Sequence, residues 1–301
     1  MNKDNNWQGL AAGLSAYFLW GILPFYWKWL SAFRPEVILG FRIAHAAVFL
    51  IALGLVRKRL FADLKLLKTP RLLWLSIANA VFITINWYVY IWAVNHAFIV
   101  EASLGYFINP LVSVAFGVIF LRERFTFTLG ISVVFALVGV AIMTAGYGRV
   151  PWISLVLAFS FATYGLTKKL ARLDGITGLT LETVLLFLPT VGYLLFSLFR
   201  TGWTLSAPGT GAVVLSLLAG IITAIPLILF GHASQRVTLS TLGFMQYLAP
   251  TLQLIIGVLV YQEAFTSRHL LAFGFIWTGI LIFTVPQFLA KKNRENLPQT
   301  T

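Results

Sequence analysis

Arg42, Glu101 and Glu182 each place a charge inside a long apolar stretch of this 301-residue chain. A charged side chain at the centre of a bilayer costs about 2.5 kcal/mol or more, so it must face a cavity or a partner. An arginine offers a planar fork to a carboxylate, whether that belongs to the protein or to an anionic solute. A carboxylate offers an ion-pair partner or a carrier for a proton. Depth decides which of these groups can meet. Arg42 lies about six residues into the stretch 36–56, and Glu182 about six residues into 177–199. At about 1.5 Å per residue, each is about 9 Å below its own surface. The two surfaces are opposite, so in a core about 30 Å thick their depths differ by about 12 Å. Arg42 is therefore predicted to pair with Glu101, near the same surface, and Glu182 with Lys168 or Lys169. Such pairs serve either as two gates, one on each side, or as static ties within the bundle.

A second group of residues could shape a pathway. Within "VEASLGYFINPL" (100–111), Tyr106 and Asn109 precede Pro110, and Gln246 and Tyr247 precede Pro250, with Ala249 as the counterpart of Asn109. A proline removes a backbone bond and kinks or breaks its helix. Interrupted helices at matched positions point to a transporter site. Freed carbonyls there would ligate a solute or ion, or the kinks would act as hinges. Asn86, Trp87 and Tyr90 share one helical face at steps of three and four. With Trp20 and Tyr164 they supply flat apolar walls with polar tips, suited to an aromatic or amphiphilic solute. Glu123 and Glu263 sit at corners, where a carboxylate caps the start of the next helix. His45, His96, His232 and His269 have no metal-ligand spacing, and no phosphate-binding glycine loop is present, so no metal or cofactor is expected.

The elements that must position these residues are membrane helices. The chain is 59% apolar and 10% charged, with a mean hydropathy of +0.88; a soluble domain is about 25% charged. It has no cysteine, which rules out disulfides and thiol chemistry. Its net charge of +13 marks cytoplasmic loops rather than nucleic-acid binding. Ten apolar stretches are long enough to span: 8–30, 36–56, 72–94, 98–121, 128–147, 151–171, 177–199, 211–231, 239–261 and 269–289. The longest loop, 57–71, includes an amphipathic surface turn. With the N-terminus inside, sixteen Lys and Arg fall on the cytoplasmic side and five on the other, so both termini are placed in the cytoplasm.

The halves repeat. "GVIFLRERFT" (117–126) aligns with "GVLVYQEAFT" (257–266) at an offset of 140, which also pairs Pro110 with Pro250, Phe135 with Phe275 and Gly139 with Gly279. The expected architecture is all-α and membrane-embedded. It has ten transmembrane helices as two inverted five-helix repeats, 1–147 and 148–301. Five spans per half is odd, so the second half enters upside down, a recurring plan for secondary transporters.

These motifs resemble a known family. "WGILPFYWKWL" (20–30), "INWYVYIWAVN" (85–95), "EASLGYFINPLV" (101–112), "SFATYGLTKK" (160–169) and "LSTLGFMQYLAPT" (239–251) are similar to RarD-type permeases of the EamA branch of the drug/metabolite transporter superfamily. The resemblance runs from Gly9 to Phe288. It implies two inverted EamA repeats, a bacterial inner-membrane location and transport of a small organic compound. One departure is "FRIAHA" at 41–46, where the family's usual "HRI.WS" keeps the arginine but not its flanks. The partners expected are a small organic solute and the lipid bilayer, with a homodimer as the candidate assembly. The residues alone leave open a non-transporting membrane protein or an intramembrane lipid-modifying enzyme. Against the enzyme, Glu101 and Glu182 fall at opposite depths and cannot form a dyad.

Overall fold

In lipid every backbone N–H and C=O must be satisfied within the protein, so a chain this apolar has helices or a closed barrel open to it. The computed structural model describes residues 3–30, 33–95, 98–145, 152–201, 210–260 and 266–295, and contains no strand among them. The first half holds α1 (Lys3–Trp29), α2 (Pro35–Val56), a short α3 (Leu60–Lys65) running into a 3-10 turn (Leu66–Lys68), α4 (Pro70–Asn95), α5 (Ile99–Leu121) and α6 (Phe127–Thr144). The second holds α7 (Trp152–Ala171), α8 (Gly175–Thr201), α9 (Thr210–Ser234), α10 (Leu239–Gln246), α11 (Leu248–Leu259) and α12 (Ser267–Glu295).

Local chemistry sets the ends. Pro35 opens α2, where its missing N–H costs nothing. Thr126 caps α6 by accepting from Leu129 N at 3.2 Å, and Thr238 caps α10 by accepting from Thr241 N at 3.0 Å. Asp174 Oδ1 accepts from Ile176 N and Thr177 N, both at 3.1 Å, at the start of α8. Arg122 stops α5 in a left-handed conformation, φ 54°.

Among the described residues, six helices carry windows long and apolar enough to cross a membrane: Glu36–Val56, Pro70–Ala93, Phe127–Thr144, Gly175–Arg200, Val214–Ser234 and Ser267–Pro286; Gly105–Leu121 is a shorter apolar helix. Their outer faces present large apolar side chains, with Leu188 77% and Phe199 85% exposed. Such a surface suits lipid and not water. The chain is a multi-pass membrane protein.

The bundle is held by close packing. Buried Tyr17, Leu50, Tyr164, Leu227 and Phe230 lie in one cluster that draws on both halves. The helices α6 and α12 pack together away from it. A Cβ on Gly139 would sit 2.7 Å from the Ala272 carbonyl, and one on Gly279 would sit 2.9 Å from that of Ser132. These glycines let the two backbones touch, as small residues do throughout membrane interfaces.

Candidate functional site

Arg42 on α2 points into the centre of the bundle and is 9% exposed. Its guanidinium carbon lies 4.3 Å from the centre of the Trp87 ring on α4. Its Nε donates to Thr223 Oγ1 on α9 at 3.2 Å. Trp87 thus supplies a π face and Thr223 a fixed acceptor, and together they hold the plane of the guanidinium. The phenols of Tyr106, Tyr90 and Tyr26 lie within electrostatic reach of it. The Tyr90 and Tyr106 rings meet edge-on with centroids 5.7 Å apart, and Tyr26 Oη donates to Leu215 O at 2.6 Å. The side chain of Glu101, the expected partner of Arg42, lies outside the described residues, and so does Glu263.

Glu182 on α8 is fully enclosed. Its Oε1 is 2.7 Å from Lys168 Nζ on α7, with side-chain exposures of 1% and 4%. The two form a buried ion pair. Tyr164 Oη donates to Glu182 Oε2 at 3.2 Å. Gly178, one turn before Glu182, makes room for the ammonium: a Cβ there would sit 3.3 Å from Nζ. Lys169 takes no part. Its Nζ donates to Ser234 O at 2.9 Å and to Val237 O, tying the end of α7 to the end of α9. Of the two lysines expected at Glu182, the structure brings only Lys168.

Arg42 and Glu182 line one cavity, together with Ile83, Trp87, Thr183 and Thr223. Its volume is about 10 Å³, room for about one water. As packed, the cavity has no room for anything larger.

The remaining expected residues surround this centre in different ways. Trp20 and Tyr17 on α1 pack with Phe161 and Tyr164 on α7 and Phe230 on α9, with Trp20 and Phe161 at 5.7 Å and Tyr164 stacked on Phe230 at 5.8 Å. Asn86 Nδ2 donates to Leu157 O at 2.9 Å and Ser160 Oγ at 3.0 Å, so its amide joins α4 to α7. Asn109 Oδ1 accepts from Ser113 Oγ at 3.2 Å, one turn along α5.

The two prolines behave differently. The helix α5 continues through Pro110, whereas the matching segment divides at Tyr247, three residues before Pro250. A Cβ on Gly243 would lie 2.8 Å from Pro110 O, so α10 lies directly on the proline turn of α5. Tyr247 Oη donates to Phe107 O at 3.2 Å across this seam. Gln246 is buried beside it, and its Oε1 has no hydrogen-bond partner among the described residues.

Glu123 corrects an expectation. It does not cap α6, a role that Thr126 fills. Its carboxylate crosses to α10, accepting from Leu239 N at 2.5 Å, Ser240 N at 3.0 Å and Ser240 Oγ at 2.7 Å. Sequence reasoning also missed Thr223, because an isolated threonine in an apolar helix carries no pattern.

Comparisons with known proteins extend this picture. Residues 7–145 match the model of the EamA-like transporter family. The chain is 44% identical to Protein RarD of Streptomyces exfoliatus, over 92% of this chain and 88% of that one. It is 42% identical to an uncharacterized transporter of Bacillus subtilis, covering 92% and 93%, and 38% identical to Protein RarD of Escherichia coli, covering 95% and 96%. A crystal structure of a protein only 19% identical superposes with a TM-score of 0.70 over 92% of this chain and 96% of that one, a likeness of fold alone. With these relatives spanning nearly its whole length, the chain belongs to the EamA-like transporter family, in its RarD-type branch.

Proposed function

We propose that this protein is a secondary carrier that exports or exchanges a small organic solute across the bacterial inner membrane by alternating access. Its ten spans form two inverted five-helix repeats, 1–147 and 148–301, with both termini in the cytoplasm. The packing supports this arrangement. If α1, α2, α4, α5 and α6 are exchanged for α7, α8, α9, α10–α11 and α12, the most extensive helix pairings map onto one another. The pairs α1 with α9 and α1 with α11 become α7 with α4 and α7 with α5, while α2 with α8 and α6 with α12 map onto themselves. At residue level, Phe107 meets Tyr247, and the Phe135 and Phe275 rings lie 5.8 Å apart, both at the offset of 140 seen in the sequence.

One observation carries the reading. A buried arginine and the carboxylate of a buried ion pair line one small cavity between the halves. Burying these charges gains little stability over apolar side chains, and an ionisable residue inside a membrane is by default a functional candidate. In an opened state Arg42, Trp87 and the surrounding phenols meet the solute, and Glu182 and Lys168 part on the cytoplasmic side. Purified protein in liposomes, screened for counterflow of labelled solutes, tests the proposal. Saturable uptake accelerated by solute on the opposite side is the expected result. Nonsaturable flux without such acceleration would replace the carrier with a channel, and a lack of flux for every class of small organic solute would remove the transport reading.

A further inference from the structure

We infer that Glu123 is a cytoplasmic latch between the two halves, and that Ser240 biases the carrier toward the conformation closed to the cytoplasm. The inference rests on the two-repeat carrier reading above and adds a direction to it.

The latch is built from both halves. Glu123 follows the end of α5, and the groups it binds open α10. Leu239 and Ser240 are 1% and 4% exposed. Their N–H groups are therefore satisfied by the carboxylate and not by water, and a carboxylate at a helix N-terminus also meets the positive end of the helix dipole. Two local features keep the carboxylate in place. The left-handed Arg122 turns the chain, and Glu123 N donates to Gly117 O at 3.0 Å. Gly117 leaves the necessary space, because a Cβ there would sit 2.5 Å from Glu123 Oε2 and 3.1 Å from Ser240 Oγ. The cytoplasmic ends of α5 and α10 cannot separate without breaking all three hydrogen bonds.

The bias comes from an asymmetry between the repeats. At the offset of 140, Glu123 corresponds to Glu263, Gly117 to Gly257, Leu239 to Ile99 and Ser240 to Val100. In sequence the opposite side carries a matching carboxylate, Glu263, which lies outside the described residues, and α5 begins at Ile99, the counterpart of Leu239. Valine, however, has no hydroxyl, so the third, charge-assisted bond of the cytoplasmic latch has no equivalent there. Ser240 thus gives the cytoplasmic end a hydroxyl bond for which the opposite end has no side chain in sequence.

The absence of cysteine makes the chain a ready background for single-cysteine reporters. Ser113→Cys places a thiol at the seam, where Ser113 Cβ lies 3.2 Å from a Cβ built on Gly243. Ala102→Cys, at a buried position near the start of α5, reports the opposite end. Labelling by a membrane-impermeant maleimide is followed in inside-out vesicles for the seam reporter and in right-side-out vesicles for the opposite-end reporter. Adding Ser240→Ala should speed labelling of the seam reporter about tenfold, the worth of one charge-assisted hydrogen bond. Glu123→Gln should speed it further. Labelling of the opposite-end reporter should hold steady or fall. If both reporters speed up together, the change is general loosening and the latch is refuted; an unchanged rate at the seam removes the bias. Since no solute is used, a silent liposome assay leaves this outcome intact. Saturable exchange with unaltered labelling sinks the latch and spares the carrier.

Discussion

Replacing Lys168 with methionine should strand the Glu182 carboxylate in the middle of the bundle. At 2.7 Å, with an effective dielectric constant of about 20, the attraction between the pair is about 6 kcal/mol. Desolvating the two ions costs several kcal/mol each, so the pair as a whole is close to neutral for stability. Removing one member keeps most of the cost and loses the attraction, a penalty of about 3–5 kcal/mol. Lys168→Met and Glu182→Leu should therefore each destabilise the protein by that amount, while the double variant, which removes both charges, should lie within about 2 kcal/mol of the parent. Reversible unfolding in mixed micelles, followed by tryptophan fluorescence, measures all three. A double variant as damaged as the sum of the singles would refute the reasoning, as would single variants that cost under about 1 kcal/mol. Transport then separates the two roles of the pair. A gate predicts a stable double variant that leaks or no longer exchanges solute; a static tie predicts one that transports normally.

Other perturbations follow from the same geometry. Gly117→Ala drives a methyl group to 2.5 Å from Glu123 Oε2 and should cost about 1–3 kcal/mol by overpacking, read in the same unfolding assay. Arg42→Lys gives up the flat contact with Trp87. It should raise the KM for exchange about tenfold with little effect on stability, because a point charge does not replace a planar fork. Burial by itself would raise the Asp174 carboxyl pKa, but hydrogen bonds from the Thr177 side chain and from Thr177 N and Ile176 N, with the charge of Arg57, outweigh it and hold it below the usual range. A depressed carboxylate stabilises above its unfolded pKa of about 3.9 and loses that contribution as pH falls through the folded value. Asp174→Ala should cost about 1 kcal/mol near pH 7 and weaken the fall in stability on the acid side, measured by unfolding from about pH 7 down to about pH 3.

The apolar stretches determined the helices, because lipid leaves the backbone few other ways to pair its polar groups. The offset of 140 marked Phe107 with Tyr247 and Phe135 with Phe275 before any contact between them was known. A constant offset between two copies survives in sequence whatever the tertiary arrangement. Burial of Arg42 and Glu182 was legible for the same reason that the helices were, since charges in apolar helices cannot face lipid.

Which groups answer those charges was decided only when the helices packed. Lys168 and Lys169 look equivalent in sequence, yet neighbours on a helix point about 100° apart. One therefore faces Glu182 and the other faces the carbonyls ending α9. Two prolines at matched positions promised matched breaks, but the break formed only before Pro250, while α5 runs on through Pro110 with Gly243 packed against it. Glu123 looked like the cap of the helix that follows it, and a capping carboxylate binds whichever free N–H groups come within reach. The fold brought the start of α10 to it from 116 residues away, a distance over which no local sequence pattern carries information.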